Sequence, residues 1–385
     1  MLEEARIRTQ TLQQRMRDEG IEQAVFTDES SIAYLSGFWG YLGIEFGRPT
    51  MLLVHATEAP MVITPMMESE MVRAMTWVDN VQTWEDTGPR SWGNALKSAL
   101  GDKPSAIWIE RPSLPAIVRN FLDDNYAAVP LNDISPVLGA MRVIKSPFEV
   151  AVMKEAGEIA GAMMAAAHQS LQEGVPEYES ALAVINAGSR KAASFLTNKG
   201  WERFVSPMIH NLQILQSGAD ASMVHRRASV KPYEKFDPVY FCFCNMAQFK
   251  QYKLGFDRMF HIGDVRDADR IVQQAAIDAQ QAAISVIRPG IKAEDVAAAA
   301  DEIYKERGYE TGYRTGRSIG VSYLESPELK VGDKTALEAG MTFAVDGGIS
   351  VDGQTAGRIG DSVVVTQTGC DYITNYPREI LLGTG

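Results

Sequence analysis

A histidine, two cysteines and an aspartate within residues 215–260 are the side chains best suited to chemistry. His225 stands seven residues after the glycine of a Gln-Ser-Gly turn. Cys242 and Cys244 alternate with phenylalanines in an apolar run, which predicts a strand with both cysteines on one face. Asp257 lies near the end of a second predicted strand. We expect the cysteine face to line a cavity together with Asp257 and His225.

These residue types suit hydrolysis of an amide or amidine, which needs a base for water and an acid for the departing nitrogen. A histidine with a pKa of about 6.5 can serve as both in turn, and such catalysis contributes roughly 10²–10⁴-fold. The alternative is that His225 is a surface histidine beside Arg226 and Arg227. Cys242 is either an ordinary buried strand cysteine or a nucleophile with His225 as its base.

Composition excludes several classes of protein. The chain has 385 residues, 45% apolar and 22% charged, which is typical of a folded protein with two domains. Its net charge of −12 argues against a nucleic-acid partner, because phosphate binding requires clustered Lys and Arg. No run approaches the roughly 18–20 apolar residues of a membrane span. The N-terminus lacks the apolar block of a secretory signal, and three cysteines make no disulfide framework, so a cytoplasmic location is expected.

The elements that position these residues fall into two predicted domains. Residues 1–140 alternate helices and strands, which predicts an α/β domain with a mostly parallel or mixed sheet. A charged amphipathic helix is expected over residues 2–19, and a glycine-rich aromatic loop over residues 34–49. The strands are expected near Gln23–Phe26, Thr50–Val54, Pro60–Ile63 and Ala106–Ile109.

Residues 141–385 predict an α+β domain in which paired helices cover an antiparallel sheet. Pro147 suits the first turn of a helix, where its missing N–H would have had no partner. Glycines are expected to interrupt the strands of residues 341–365. The helices are expected at Glu149–Gln172, Tyr178–Lys191, Asp267–Ile287 and Lys292–Glu306.

A series of short motifs resembles the pita-bread family, which includes methionine aminopeptidase, prolidase, creatinase and ectoine hydrolase. The resemblance covers nearly the whole chain. It implies an α/β N-terminal domain of the creatinase type followed by an α+β pita-bread catalytic domain. The motifs, in family order, are Met141-Arg142-Val143-Ile144-Lys145-Ser146, Gln216-Ser217-Gly218, Arg288-Pro289-Gly290, Arg314-Thr315-Gly316-Arg317-Ser318-Ile319-Gly320, Leu337-Glu338-Ala339-Gly340-Met341 and Arg358-Ile359-Gly360-Asp361.

The metal-ligand positions of this family are altered in the sequence. The peptidases hold two metal ions with two Asp, one His and two Glu, because hard dications need several carboxylate oxygens. By the motifs, the matching positions are Cys242, Gly255, Arg317, Asp346 and Gly360. One acid remains, and an arginine replaces the histidine. The resemblance therefore implies a site without a metal ion or other cofactor, as in the creatinase and ectoine hydrolase branch.

The resemblance to creatinase also assigns roles to individual residues. It implies that His225 is the general acid and base, and that Asp257 and Asp346 hold a cationic substrate nitrogen and orient His225. Arg48, in the segment Phe46-Gly47-Arg48-Pro49, matches an arginine that reaches across a homodimer to the substrate carboxylate. A guanidinium fork pairs a carboxylate in a way that lysine cannot. The implied substrate is a small zwitterion.

Five further residues are predicted to bind substrate, three of them with stated alternatives. Arg317 either replaces the charge of the lost metal, binds an anionic group, or is a structural substitute. Asp257 and Arg258 form either part of the site or a simple ion pair, and the aromatic loop with Phe46 either closes the pocket or packs the dimer. The predicted substrate-binding residues besides Arg48 are Phe46, Arg258, Arg317, Tyr323 and Arg358.

The sequence therefore favours a metal-independent hydrolase of a C–N bond in a small zwitterionic amino-acid derivative. We expect a homodimer that binds a small-molecule substrate, with no nucleic-acid or membrane partner. Two other functions stay open. One is a lyase that eliminates a leaving group from a small charged carboxylate, and the other is a non-catalytic binding protein.

Overall fold

The computed structural model describes residues 1–86, 88–198, 203–209, 214–223, 225–310, 312 and 314–383, except for the side chains of residues 44 and 45. The chain divides into two compact units, Met1–Met141 and Arg142–Gly385. In the described part of the chain, no helix is long and apolar enough to cross a membrane.

The first unit is built on a six-stranded mixed sheet, as the alternation of elements predicts. Its strand order is β4-β3-β2-β1-β5-β6, and β2 is antiparallel to both of its neighbours. The strands are β1 Gln23–Phe26, β2 Met51–His55, β3 Met61–Pro65, β4 Asn80–Trp84, β5 Ile107–Ile109 and β6 Leu131–Asp133. The helices are α1 Leu2–Asp18, α2 Glu29–Ser36, α3 Leu42–Phe46, α4 Ser69–Met75, α5 Trp92–Leu100, α6 Ala116–Asn125 and α7 Ser135–Arg142.

The segment predicted as a loop over residues 34–49 is partly helical. The side chain of Asp28 caps α2 by accepting a hydrogen bond from the backbone N–H of Ser31. Gly37 then ends the helix with a left-handed φ of 83°. The short helix α3 follows and ends at Gly47, which is also left-handed. The glycines therefore terminate two helices instead of forming one irregular loop.

The helices of the second unit agree with the sequence prediction. Helix α8 begins at Pro147, and Ser146 and Glu149 form a capping box that satisfies two backbone N–H groups at its start. Because proline occupies the first turn, no intrahelical hydrogen bond is lost. The helices are α8 Pro147–Gln169, α9 Glu177–Asn198, α10 Asp267–Val286 and α11 Ala293–Glu306.

The sheet of the second unit is largely antiparallel, and its main strand order is β13-β12-β14-β15-β11-β8-β7. Strands β16 and β17 pair with β15 and β11, and β9 and β10 form a separate hairpin. The strands are β7 Ile214–Ser217, β8 Pro238–Cys242, β9 Gln248–Phe249, β10 Tyr252–Lys253, β11 Asp257–His261, β12 Gly316–Ser318, β13 Glu325–Leu329, β14 Thr342–Val351, β15 Thr355–Val365, β16 Cys370–Tyr372 and β17 Leu381–Leu382.

The glycines of residues 341–365 do not interrupt the strands, contrary to the prediction. Only Gly353, with φ of 67°, lies in the turn between β14 and β15. Gly347 and Gly357 lie inside the strands, where a Cβ atom would collide with the backbone carbonyls of Ala276 and Val272 in α10. The missing side chains therefore let α10 pack against one face of the sheet. The opposite face of these strands carries the candidate site.

A buried histidine on β11 makes folding sensitive to acid. His261 has no exposed surface, and neither ring nitrogen has a hydrogen-bond partner in the described structure. Burial lowers the pKa of His261 to about 4; Asp269 raises it, whereas Arg270 and Arg266 lower it further. The imidazole is therefore neutral in the folded protein at neutral pH.

We expect this histidine to reduce the stability of the fold as pH falls from 6.5 to about 4. In that window the unfolded chain binds a proton that the folded chain does not, so the stabilising contribution is complete above pH 6.5 and absent below about 4. The change is about 3 kcal/mol at 1.36 kcal/mol per pKa unit. Urea unfolding of His261→Leu at several pH values should give a flatter profile, with His55→Leu as the control. An unchanged profile would contradict the assignment.

Candidate active site

Four of the singled-out positions form one row across the sheet. Asp257 on β11 lies opposite both Cys242 on β8 and Gly360 on β15, and Gly360 lies opposite Asp346 on β14. Directly opposite residues in a ladder point to the same face. The register therefore brings Cys242, Asp257 and Asp346 together on the face opposite α10.

The two carboxyl groups approach each other above Gly360. A Cβ atom built on Gly360 would have Asp257 Oδ2 and Asp346 Oδ1 both within 2.8 Å. Asp257 is only 5% exposed, and its carboxyl group accepts no hydrogen bond from the described residues. Burial raises its pKa well above the usual range and Asp346 raises it further, whereas Arg258 and Arg358 lower it. Gly360 thus makes room for two facing carboxyl groups, of which Asp257 has a raised pKa.

Arg317 is a fixed cation at one end of this row. Its Nη1 lies 2.5 Å from Asp346 Oδ2, and its Nη2 donates to the Tyr323 hydroxyl. The guanidinium also lies over the Tyr323 ring, 4.3 Å from the ring centre. A Cβ built on Gly255 would stand 3.1 Å from Nη2. Arg317 and Tyr323 therefore occupy the region where the pita-bread peptidases have metal ligands.

The residues at the family's metal-ligand positions do not fit a dinuclear metal site. Gly255 and Gly360 have no side chain that could bind a metal ion, and the guanidinium of Arg317 is paired with Asp346. A guanidinium in direct contact with a ligand carboxylate would repel a dication bound to that carboxylate. Nowhere among the described residues do three or more His, Cys, Asp or Glu side chains form a group that could hold a metal ion.

Arg358 is a second cation on this face of the sheet. Gln273 of α10 fixes its backbone through hydrogen bonds of 2.9 and 3.1 Å. Its Nη2 lies 2.5 Å from Ser350 Oγ, and its Nε is buried without a partner among the described residues. Its guanidinium carbon lies 5.5 Å from the ring centre of Tyr240. Arg358 thus lies on the same face as Asp257 and Asp346 and forms no ion pair with a carboxylate in the described part of the chain, and its predicted role in substrate binding stays a prediction.

Tyr240 belongs to the site and was missed by the sequence analysis. It precedes Cys242 by two residues on β8, so the two side chains share a face, and they belong to one buried cluster with Met259. Burial raises its pKa well above the usual value, and Asp257 raises it further, whereas Arg358 lowers it. The alternation of Tyr240 with Cys242 was the available signal, but Val239–Asn245 read as a uniformly apolar strand.

Cys242 and Cys244 are joined in a disulfide bond. The prediction that both lie on one face is consistent with this bond. The prediction that Cys242 is a nucleophile is corrected for this form of the protein, because a nucleophile must be a free thiolate. Cys370 is the free cysteine, and burial raises its pKa to about 11.

Arg258 is also corrected, because its guanidinium is fully engaged in structural contacts. It lies on the face opposite Asp257 and pairs with buried Asp361 at 2.9 Å. It also donates to the backbone carbonyls of Pro377, Tyr376 and Gly360. No donor remains for a substrate.

His225 is exposed and makes no hydrogen bond or ion pair with the described residues. Its neighbour Arg226 accepts a backbone hydrogen bond from Leu215 on β7, and β8 separates β7 from the strand of Asp257. The structure therefore does not bring His225 into contact with Asp257 or Asp346, and its catalytic role stays a prediction.

Arg48 and Phe46 belong to the first unit. Arg48 forms an ion pair of 2.5 Å with Asp86, and its Nη1 lies 3.0 Å from the sulfur of Met67. Phe46 is 66% exposed. Their predicted roles across a homodimer stay predictions.

Comparison with known proteins identifies both units. Residues 8–144 match the creatinase/prolidase N-terminal domain, and residues 151–367 match metallopeptidase family M24. The agropine synthesis cyclase of Rhizobium rhizogenes is 26% identical over 386 residues, which cover 96% of this chain and 95% of that protein. The probable dipeptidase PepE of Mycobacterium bovis is 27% identical over 378 residues, which cover 95% and 93%.

A solved structure supports the same assignment. The dipeptidase PepE of Mycobacterium ulcerans has a TM-score of 0.83 at 25% identity, over 99% of this chain and 98% of that chain. The predicted creatinase-type N-terminal domain and pita-bread catalytic domain are therefore confirmed. The chain belongs to metallopeptidase family M24, a family of hydrolases.

Proposed function

We propose that the protein is a metal-independent hydrolase of a C–N bond in a small zwitterionic amino-acid derivative. The observation that supports this proposal best is that two facing carboxyl groups and an arginine guanidinium take the place of metal ligands. Asp257 and Asp346 face each other over Gly360, and Arg317 supplies a fixed positive charge to Asp346. Such groups can transfer protons and stabilise charge without a metal ion.

The two carboxyl groups suit the two proton transfers of hydrolysis. Asp346 accepts a proton from water as the water oxygen attacks the amide or amidine carbon. Asp257, whose pKa is raised, donates a proton to the departing nitrogen as the C–N bond breaks. Transfer of the proton from Asp346 to Asp257 then restores the starting state. Arg317 and Tyr323 stand where they can donate hydrogen bonds to the oxygen or nitrogen that gains charge.

His225 is the second candidate for the acid and base in this proposal. Its position after the Gln-Ser-Gly turn supports that role, whereas its exposure and lack of contacts favour the facing carboxyl groups. The facing carboxyl groups of Asp257 and Asp346 are the stronger basis for catalysis, because the proton donor and acceptor must both lie within hydrogen-bond reach of the substrate.

A product assay tests the proposed function. Chelator-treated protein is incubated in water labelled with heavy oxygen, with creatine, related guanidino acids and acetylated diamino acids, and products are identified by mass spectrometry. We expect cleavage that survives the chelator and puts labelled oxygen into a product. Loss of activity on chelation, restored by a divalent metal, would contradict metal independence.

A second candidate function is ring closure within one small substrate, and one relative favours it. The agropine synthesis cyclase of Rhizobium rhizogenes aligns with 96% of this chain. Ring closure with loss of water is the reverse of hydrolysis, so the same acid and base can catalyse it. In the product assay, a product lighter than its substrate by one water and free of heavy oxygen would support the cyclase instead.

A further inference from the structure

We propose that Arg358 and Tyr240 form a subsite for a carboxylate group of the substrate, beside the facing carboxyl groups of Asp257 and Asp346. This inference rests on the proposed function and deepens it, because it names the charged group that the substrate must present and its place relative to the reacting bond.

The side chain of Arg358 is suited to binding an anion. It forms no ion pair with any carboxylate of the described residues, and its Nε is desolvated and without a partner there. Its side chain lies over Gly348, where a Cβ would stand only 3.1 Å from Nη1, and Gln273 holds its backbone. Only Nε is buried without an acceptor among the described residues, and Asp257 is near enough to interact electrostatically with the guanidinium without pairing with it. A substrate carboxylate would satisfy Nε and can accept two hydrogen bonds from one guanidinium.

Tyr240 supplies a hydrogen-bond donor beside this guanidinium. The residue is 7% exposed, and its hydroxyl makes no hydrogen bond with the described residues. The hydroxyl of this largely buried side chain is therefore available to a substrate group. The raised pKa of Tyr240 keeps the proton on this oxygen. A neutral phenol donates a hydrogen bond to an anion.

The charges of the site favour a carboxylate over a phosphate. One guanidinium and one neutral hydroxyl match a single negative charge and two oxygens. Asp346 is close enough to influence Tyr240 electrostatically and would repel a dianion. A carboxylate therefore fits the charge of this subsite better than a phosphate does.

The register of the sheet sets the spacing between this subsite and the reacting bond. Arg358 precedes Gly360 by two residues on β15, which corresponds to about 6.8 Å along an antiparallel strand. The carboxylate of the substrate should therefore lie roughly four or five covalent bonds from the bond that reacts. That spacing is typical of an amino-acid derivative modified on its side chain.

Arg48 is the competing candidate for the carboxylate. Its guanidinium already pairs with Asp86, whereas Arg358 has no carboxylate partner in the described part of the chain. The test therefore includes both arginines.

The experiment measures equilibrium binding of butyrate, a monocarboxylate, with neutral butyramide and inorganic phosphate as comparison probes. Wild type should bind butyrate more tightly than either comparison probe. Arg358→Gln should weaken butyrate binding roughly 10- to 100-fold, the range expected for hydrogen bonds to charged groups, and Tyr240→Phe should weaken it less. The matched controls Arg288→Gln and Tyr178→Phe change exposed residues and should bind like wild type. Circular dichroism of each variant verifies that it is folded.

Failure of this inference differs from failure of the proposed function. Equal binding by wild type and Arg358→Gln, no binding of butyrate, or tighter binding of phosphate would overturn the subsite, whatever the product assay gives. Loss of butyrate binding in Arg48→Gln with no loss in Arg358→Gln would move the subsite to Arg48 and also overturn it. Butyrate binding that depends on Arg358 in a protein without hydrolytic products would keep the subsite and reject the hydrolase.

Discussion

Asp257→Asn should lower turnover by roughly 10²–10⁴-fold, the range expected when a general acid is removed. Asparagine keeps the size of the side chain but has no acidic proton to give to the departing nitrogen. The measurement is kcat on the substrate identified by the product assay. Asp352→Asn, which makes the same change at an exposed position in the turn of the β14–β15 hairpin, should leave kcat unchanged.

The pH profile of the wild type adds a second readout of this role. Burial and then Asp346 raise the pKa of Asp257, so its acid form persists at pH values where an ordinary aspartate is ionised. Because the protonated form is the donor, activity should fall as pH rises through that raised pKa. The residual activity of Asp257→Asn should lack this decline.

His225→Gln separates the two candidate acid–base systems. Because His225 is exposed and makes no contact with the described residues, we expect its replacement to affect kcat less than Asp257→Asn does. An inactive His225→Gln protein together with an active Asp257→Asn protein would reject the carboxyl pair and restore the histidine mechanism.

The fold was predictable where residues that are neighbours in the sequence determine the secondary structure. The strand Gln23–Phe26 and the helix that begins at Pro147 follow from apolar patterning and capping residues that lie next to each other in the sequence. The prediction was wrong at Gly347 and Gly357, because these glycines do not break the strands but let α10 pack closely against the sheet. A glycine that permits close packing cannot be distinguished from one that breaks a strand without knowledge of its distant partner.

The site was predictable in its members but not in its arrangement. The motifs identified Asp346 and Arg317, but their ion pair depends on the register between β12 and β14. The carboxyl pair over Gly360 likewise depends on the ladder that joins β11, β15 and β14. Tyr240 had no motif, and only the ladder and the charges around it reveal its position. Sequence patterns thus identified candidate residues, whereas strand register determined which of them meet.

Arg258→Met should destabilise the fold by about 3–5 kcal/mol, the range for removing one partner of a buried ion pair. Arg258 and Asp361 are both almost entirely buried, and Asp361 also accepts hydrogen bonds from Thr374 and Gln280. Loss of the guanidinium leaves the carboxylate of Asp361 partly uncompensated and removes a donor from four backbone carbonyls. The measurement is the free energy of unfolding in urea.

Arg378→Met is the matched control, because Arg378 pairs with the same carboxylate at 3.0 Å from a more exposed position. Its loss should be much less destabilising, since the pair is closer to solvent and Arg258 still neutralises Asp361. If Arg258→Met unfolded like wild type but bound substrate weakly, the structural role of Arg258 would be wrong and its predicted role in substrate binding would stand. If the structural role is right, Arg258→Met is destabilised but its folded fraction still binds butyrate as wild type does, because Arg258 faces away from the subsite of Arg358 and Tyr240.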